Sequence, residues 1–235
     1  MKRVLAVLLL LCAAPALAQE AVIRQAIEAR LGLKVESVQP SPMAGLYEVR
    51  MSSADGSEIL YADAQGNHII VGGNIIDLKN KRNLTTAIKF ETLPLDLAVK
   101  VQRGSGKRVL AMFSDPYCPY CKQLEKTLIQ IDDVTIYVFM YPVIRPDLAE
   151  HSKAVWCSPD RGKAWIDLAL RGRQPVANAA CDNPLDKLRE LGKKLRVRST
   201  PTLYFADGER FEGGGLSAEQ LRAMLDDPAR QTKTR

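Results

Sequence analysis

Apolar residues recur at helical spacing between residues 20 and 31, where Val22, Ile23, Ala26, Ile27 and Leu31 line one stripe and Gly32 follows as a C′ candidate. A short amphipathic helix is expected there. The pattern then shortens. Runs at 46–51 (Leu-Tyr-Glu-Val-Arg-Met) and 59–61 (Ile-Leu-Tyr) flank Asp55-Gly56, a hairpin signal, and 68–78 is rich in apolar residues after a turn at 64–67. These segments predict a small antiparallel meander packed on the one helix. A unit of about 60 residues has a thin core, and the run from His68 to Asp77 carries more apolar surface than such a core covers. It is expected either to pair with a second copy of the chain or to stand as an ordinary edge strand.

Residues 83–93 hold an N-cap candidate, Asn83, followed by apolar Leu84, Ile88 and Phe90, and the pattern stops before Pro94. This reads as a helical connector. Beyond it, 97–101 and 107–113 read as strands split by Arg103-Gly-Ser-Gly106, followed by a helical stripe at Leu124, Leu128 and Ile131 and a buried strand over 134–140. Residues 147–195 are helical in pattern, interrupted by Ser158-Pro159, by Gly172 and by a loop at 174–183. A hairpin over 201–211 turns at Ala206-Asp-Gly208, and Ser217-Ala-Glu-Gln220 opens a last helix as a capping box. A βαβ unit, a helical insert and then ββα is a thioredoxin-like order.

The N-terminus changes the picture of where this chain works. Met1-Lys2-Arg3, the apolar run 4–11 and Ala14-Pro-Ala-Leu-Ala18 have the charged, hydrophobic and small-residue regions of a secretory signal, with cleavage expected after Ala18. A membrane anchor would need about 20 apolar residues, and this run breaks at Pro15. Cys12 follows Leu11 rather than a small residue, which argues against lipid attachment. Its removal leaves four cysteines, an even number suited to an oxidising exported compartment. The formal charge of +6 is spread in alternation with acids and shows no Lys/Arg stripe interleaved with aromatics, so nucleic acid is not indicated as a partner.

The candidate chemistry lies in Phe113-Ser-Asp-Pro-Tyr-Cys118-Pro-Tyr-Cys121-Lys, a Cys-x-x-Cys set at the passage from a strand to a helix. Cys118 falls at the helix start, partly exposed, where unpaired N–H groups and the positive end of the macrodipole favour a thiolate. Cys121 lies one turn inward as a resolving thiol. A zinc half-site would need a second closely spaced Cys/His pair, whereas Cys157 and Cys181 are far apart and no His-x-x-x-His occurs. Thiol–disulfide exchange is therefore expected, with no metal or organic cofactor. Asp115, Lys122 and His151 read as solvated surface groups.

Four features taken together resemble the periplasmic protein disulfide isomerases of the DsbC/DsbG family over essentially the whole mature chain. They are Cys118-Pro-Tyr-Cys121 after Phe113-Ser-Asp, Ser199-Thr-Pro201-Thr before the late strand, Ala154-Val-Trp-Cys157, and His68-Ile-Ile-Val-Gly72. The resemblance implies an α/β protein with a signal peptide at 1–18 and a small α+β, cystatin-like dimerisation domain at 19–80. A linker helix at 81–97 would join it to a thioredoxin-fold catalytic domain at 98–235, in a V-shaped homodimer. It further implies that Thr200 and Pro201 form a substrate-binding cis-proline loop, although the residues alone equally allow a trans proline that opens a strand. Cys157 and Cys181 would form a structural disulfide; two buried free thiols are the other reading. Relatives nearest DsbC carry this second pair, and those nearest DsbG more often have Cys-Pro-Tyr-Cys without it. The chain has Pro119 and the pair, and the covalent link weighs more.

The activity so implied is reduction or isomerisation of non-native disulfides in misfolded exported proteins in the periplasm, together with chaperone activity. Cys118 and Cys121 would be the redox-active pair, kept reduced by a membrane thiol reductase of the DsbD type. Two other functions stay open: reduction of sulfenylated single cysteines, and a non-enzymatic holdase.

Overall fold

The computed structural model describes residues 14–53, 56–77, 82–176 and 180–230. The chain divides into two units, Met1–Asp77 and Leu78–Arg235. Among the described residues no helix is long and apolar enough to cross a membrane.

The first unit is one helix, α1 (Ala14–Leu31), on a four-stranded antiparallel sheet of β1 (Val35–Pro40), β2 (Leu46–Ser53), β3 (Gly56–Asp63) and β4 (Ile69–Val71), in that order. Ile23 and Ile27, one turn apart on α1, are buried with Val35, Val38, Val49, Met51, Leu60 and Ala62. Gly32 ends the helix with φ +64 and donates its N–H to Glu28 O, a conformation glycine adopts without steric cost. The helix begins earlier than the apolar stripe suggests, because the alanines ahead of residue 20 are strong helix formers and Pro15 sits in the tolerated first turn. The charged and apolar parts of the expected signal, residues 1–13, lie outside the described residues.

Two strands differ from expectation. β1 has no alternating pattern because a β-bulge between Val35 and Ser37 shifts its register against β2, so that Val35 and Val38 both reach the core. The long strand expected over 68–78 breaks at Gly72, whose φ is +72, leaving β4 with three residues at the sheet edge and a two-residue β5 (Ile76–Asp77) beyond it.

The second unit holds a five-stranded sheet. After β6 (Arg82–Asn83) come β7 (Val99–Arg103), β8 (Arg108–Ser114), α2 (Pro119–Leu128) and β9 (Val134–Met140). The helices α3 (Ala149–Cys157), α4 (Arg161–Ala169) and α5 (Leu185–Lys194) form the insert, and β10 (Thr202–Phe205), β11 (Arg210–Glu212) and α6 (Ala218–Asp226) complete the unit. The strand order is β11-β10-β8-β9-β7, with β8 and β9 parallel and every other pair antiparallel. A parallel pair needs a crossover, and α2 provides it. Phe113 and Phe139 on the central strands stack 5.0 Å apart, and Leu124 and Leu128 of α2 and Trp165 of α4 join the same core. Ser217 and Gln220 form the expected capping box at α6.

Among the described residues of the linker helix expected over 81–97, residues 82–97, no α-helix is formed. Asn83 begins a turn, its side chain accepting from the Thr85 and Thr86 N–H groups, but the Ile88 N–H leaves to bond Gly208 O at 3.0 Å. The described residues continue as two 3-10 turns, Phe90–Thr92 and Leu95–Leu97. Two adjacent β-branched threonines and Pro94 weaken helix propensity, and burial of Phe90 and Leu93 in the sheet's core decides the path.

Candidate active site

Cys118 is the N-cap of α2, with φ −74 and ψ 124, and Pro119 takes the first helical position, where its missing N–H would have no partner in any case. The Cys118 N–H donates to Asp115 O at 3.1 Å and its carbonyl accepts the Lys122 N–H at 3.0 Å, which fixes the turn between strand and helix. Because Thr202 of β10 pairs with Phe113 of β8, the loop before β10 emerges beside the residues that follow β8. The Thr200-Pro201 peptide bond in that loop is cis, and Cys118 Sγ donates to Thr200 O at 3.2 Å. Gly213 N–H caps the Pro201 carbonyl at 2.9 Å. Gly214 packs against the Tyr120 carbonyl so closely that a Cβ would clash with it.

This loop changes one expectation. Cys118 is only 3% exposed rather than partly exposed, because Thr200 lies over its sulfur.

Cys121 is buried beneath it and neither cysteine is bridged. Burial pushes the Cys121 thiol up to about 12, against the opposing pull of hydrogen bonds from the Ser114 hydroxyl, the Asp115 N–H and the Thr200 hydroxyl. The Asp115 N–H lies 3.5 Å from the sulfur. The Ser114 and Thr200 hydroxyls are buried and have no other hydrogen-bond partner among the described residues. The arrangement keeps Cys121 a thiol at neutral pH while holding donors ready for its thiolate.

Further titratable groups lie on the elements that carry the pair. Asp115 is fully buried, not solvated, and its carboxylate accepts three main-chain N–H groups, from Tyr117, Val143 and Ile144. Its one sequence signal is an acid placed between an apolar strand and a helix start. His151 and Lys122 are both half-buried; the His151 Nδ1 hydrogen-bonds the Tyr117 hydroxyl, and the Lys122 ammonium lies near the Tyr117 ring. Glu125, one turn beyond Cys121, is buried against the Trp165 indole, which donates to it at 2.7 Å. Burial pushes its carboxyl up to about 7, and that indole and the Arg103 charge offset the penalty only in part. Nothing in the sequence distinguished Glu125 from a surface acid.

Cys157, the last residue of α3, is joined to Cys181 by a disulfide with a Cα–Cα distance of 5.7 Å. The bridge ties the loop before α5 to α3, where Trp156 Nε1 also donates to Asp182 O at 3.1 Å. Neither sulfur is among the partners of Cys118 or Cys121.

Residues 95–229 match the thioredoxin-like domain family, and residues 14–86 match the disulfide bond isomerase protein N-terminal domain. The chain is 40% identical over 201 residues to the probable thiol:disulfide interchange protein DsbC of Bordetella pertussis, covering 83% of this chain and 69% of that one. It is 28% identical over 223 residues to the thiol:disulfide interchange protein DsbC of Escherichia coli K12, covering 92% and 91% respectively. A crystal structure of a disulfide interchange protein from Neisseria gonorrhoeae, 40% identical, superposes with a TM-score of 0.56 over 59% of this chain and all of the other.

Proposed function

This chain belongs to the DsbC family of thiol:disulfide interchange proteins, and from that membership we propose that Cys118 is the nucleophile and Cys121 the resolving thiol of its exchange reaction. The observation that carries the assignment is the asymmetry of the pair. Cys118 caps a helix start beside the Thr200 carbonyl, whereas Cys121 is a buried thiol held far above neutrality.

The Cys118 thiolate attacks one sulfur of a client disulfide, forming a Cys118–client disulfide and expelling the other client sulfur as a thiolate. A second client thiolate then attacks the client sulfur of that bond, and Cys118 leaves as a thiolate; the client is rearranged with no net redox change. In the alternative exit, Cys121 loses its proton and attacks the Cys118 sulfur. The client leaves reduced, and Cys118 and Cys121 are left as a disulfide that two electrons from an external dithiol must reopen. Burial raises the Cys121 thiol, so the second exit needs a deprotonation inside the protein that the first does not.

The clients are misfolded, disulfide-containing proteins of the periplasm, and a DsbD-type membrane reductase is the source of reducing equivalents. The first unit serves as a dimerisation domain through β4, whose Ile70 and Val71 side chains are 50% and 66% exposed at the sheet edge. The Cys157/Cys181 bridge supports a DsbC-like over a DsbG-like role. Chaperone activity would follow from apolar surface brought together in the dimer.

The assignment is tested by trapping. Cys121→Ala should accumulate mixed disulfides with a scrambled client, and Cys118→Ala should form none and lose turnover. Trapping by the Cys118→Ala protein through Cys121 would reverse the roles.

A further inference from the structure

Asp115 does more than close a turn. Its Oδ1 accepts the Tyr117 N–H at 2.8 Å, and its Oδ2 accepts the Val143 and Ile144 N–H groups at 2.7 Å each. Its own N–H reaches Cys121 Sγ at 3.5 Å, and its carbonyl accepts the Cys118 N–H at 3.1 Å. One buried residue therefore touches the Cys121 sulfur, the Cys118 main chain and the chain segment that follows β9. A carboxylate buried without a cation is stabilised by such charge-assisted bonds, and it holds its donors more firmly than a neutral acceptor would.

The segment it holds is unusual in what it presents. Val143 and Ile144 have their N–H groups turned in to Asp115 while their side chains are 41% and 51% exposed. The next residue, Arg145, is bound to Asp147 at 2.6 Å. Two apolar side chains are thus held in solvent at a fixed place beside the turn that carries Asp115. Any client sulfur that bonds Cys118 brings its flanking residues onto the segments bordering Cys118, and a misfolded client exposes apolar side chains that its native fold would bury.

We propose that Asp115 is a positioning residue for client recognition: by clamping residues 143 and 144 to the redox turn, it sets Val143 and Ile144 as the edge against which the apolar segment flanking a client cysteine docks. The proposal rests on the thiol-exchange reading. Asparagine at 115 keeps the shape but has one accepting oxygen in place of two, so it cannot hold all three N–H groups.

The test compares a scrambled multi-disulfide protein with oxidised glutathione, which is too small to reach the edge. Asp115→Asn, with folding checked by circular dichroism, should raise KM for the protein client about tenfold, well beyond any change in its reduction of oxidised glutathione. Val143→Ser/Ile144→Ser, which changes only exposed side chains, should reproduce that KM effect, and combining it with Asp115→Asn should add little further. Equal loss on both substrates in Asp115→Asn would reduce Asp115 to a support of the cysteine turn and overturn the proposal. An unchanged client KM in the Val143→Ser/Ile144→Ser protein would overturn it even if Asp115→Asn failed to fold. If the unsubstituted protein exchanged neither disulfide, the reading of the chemistry would fall instead.

Discussion

The Cys118 thiol donates to the main-chain oxygen of Thr200 at 3.2 Å. When Cys118 ionises or enters a mixed disulfide it has no proton to give, and the Thr200 oxygen is left as an open acceptor beside the new bond. Under the proposed exchange reaction a client main-chain N–H would take it, and covalent capture and main-chain docking would occur together.

Ser114→Ala removes a buried hydroxyl that has no hydrogen-bond partner beside the neutral pair and that favours the Cys121 thiolate. Losing a hydrogen bond of about 1–1.5 kcal/mol to the Cys121 thiolate should slow the resolving step roughly five- to tenfold. Alkylation of Cys118 should be unchanged. Mixed-disulfide lifetimes measured by quenched gel assay check this, and an equal slowing of Cys118 alkylation would contradict it.

Glu125→Gln should change how stability depends on pH. The carboxyl's folded-state value of about 7 lies above its reference value of 4.5. Below the lower value both states are protonated; between the two, the unfolded chain releases a proton that the folded chain retains. Stability therefore falls as pH rises through this window. Glutamine lacks that penalty and still accepts from Trp165, so the variant should match the parent at pH 4 and exceed it by up to about 3 kcal/mol at pH 8. Urea unfolding at the two pH values reads the difference.

Replacing both Cys157 and Cys181 with alanine opens a covalent loop that spans 24 positions. The chain-entropy model gives a loss of about 3.5 kcal/mol. Thermal or urea unfolding should show it, while reduction of a small disulfide by Cys118 should persist. Loss of that reduction in the folded variant would mean that the insert supports the thiol pair directly.

Val71→Lys places a charge on the exposed edge strand β4. Sedimentation should find a dimer for the parent and monomers for the variant, with small-disulfide reduction retained and isomerase efficiency lowered. A monomeric parent would remove β4 as an interface.

Local signals in the sequence account for the strand-to-helix passage at Cys118, for the Gly32 helix end and for the Ser217 capping box. Each is decided within one turn of chain. The contact of Cys118 with Thr200 depends instead on β8 and β10 being sheet neighbours, which no local pattern encodes. The bulge in β1 removes the alternation that marks a strand, and the turn residues after Asn83 match a helix start although Ile88 bonds a distant carbonyl. Asp115 reads as a surface acid in the sequence, and no local signal marks Glu125. What makes them otherwise is the buried main-chain donors around one and the Trp165 indole beside the other.

The Trp165–Glu125 bond also gives the protein an optical handle on its own interior. Indole emission responds to the charge of a group that it donates to, and Glu125 sits one helical turn below Cys121. The chain has two tryptophans, so with Trp156 exchanged for phenylalanine the remaining fluorescence would come from Trp165 alone. Its intensity against pH would trace that carboxyl's proton, and its change on oxidation of the thiols would follow the cycle in real time without a label.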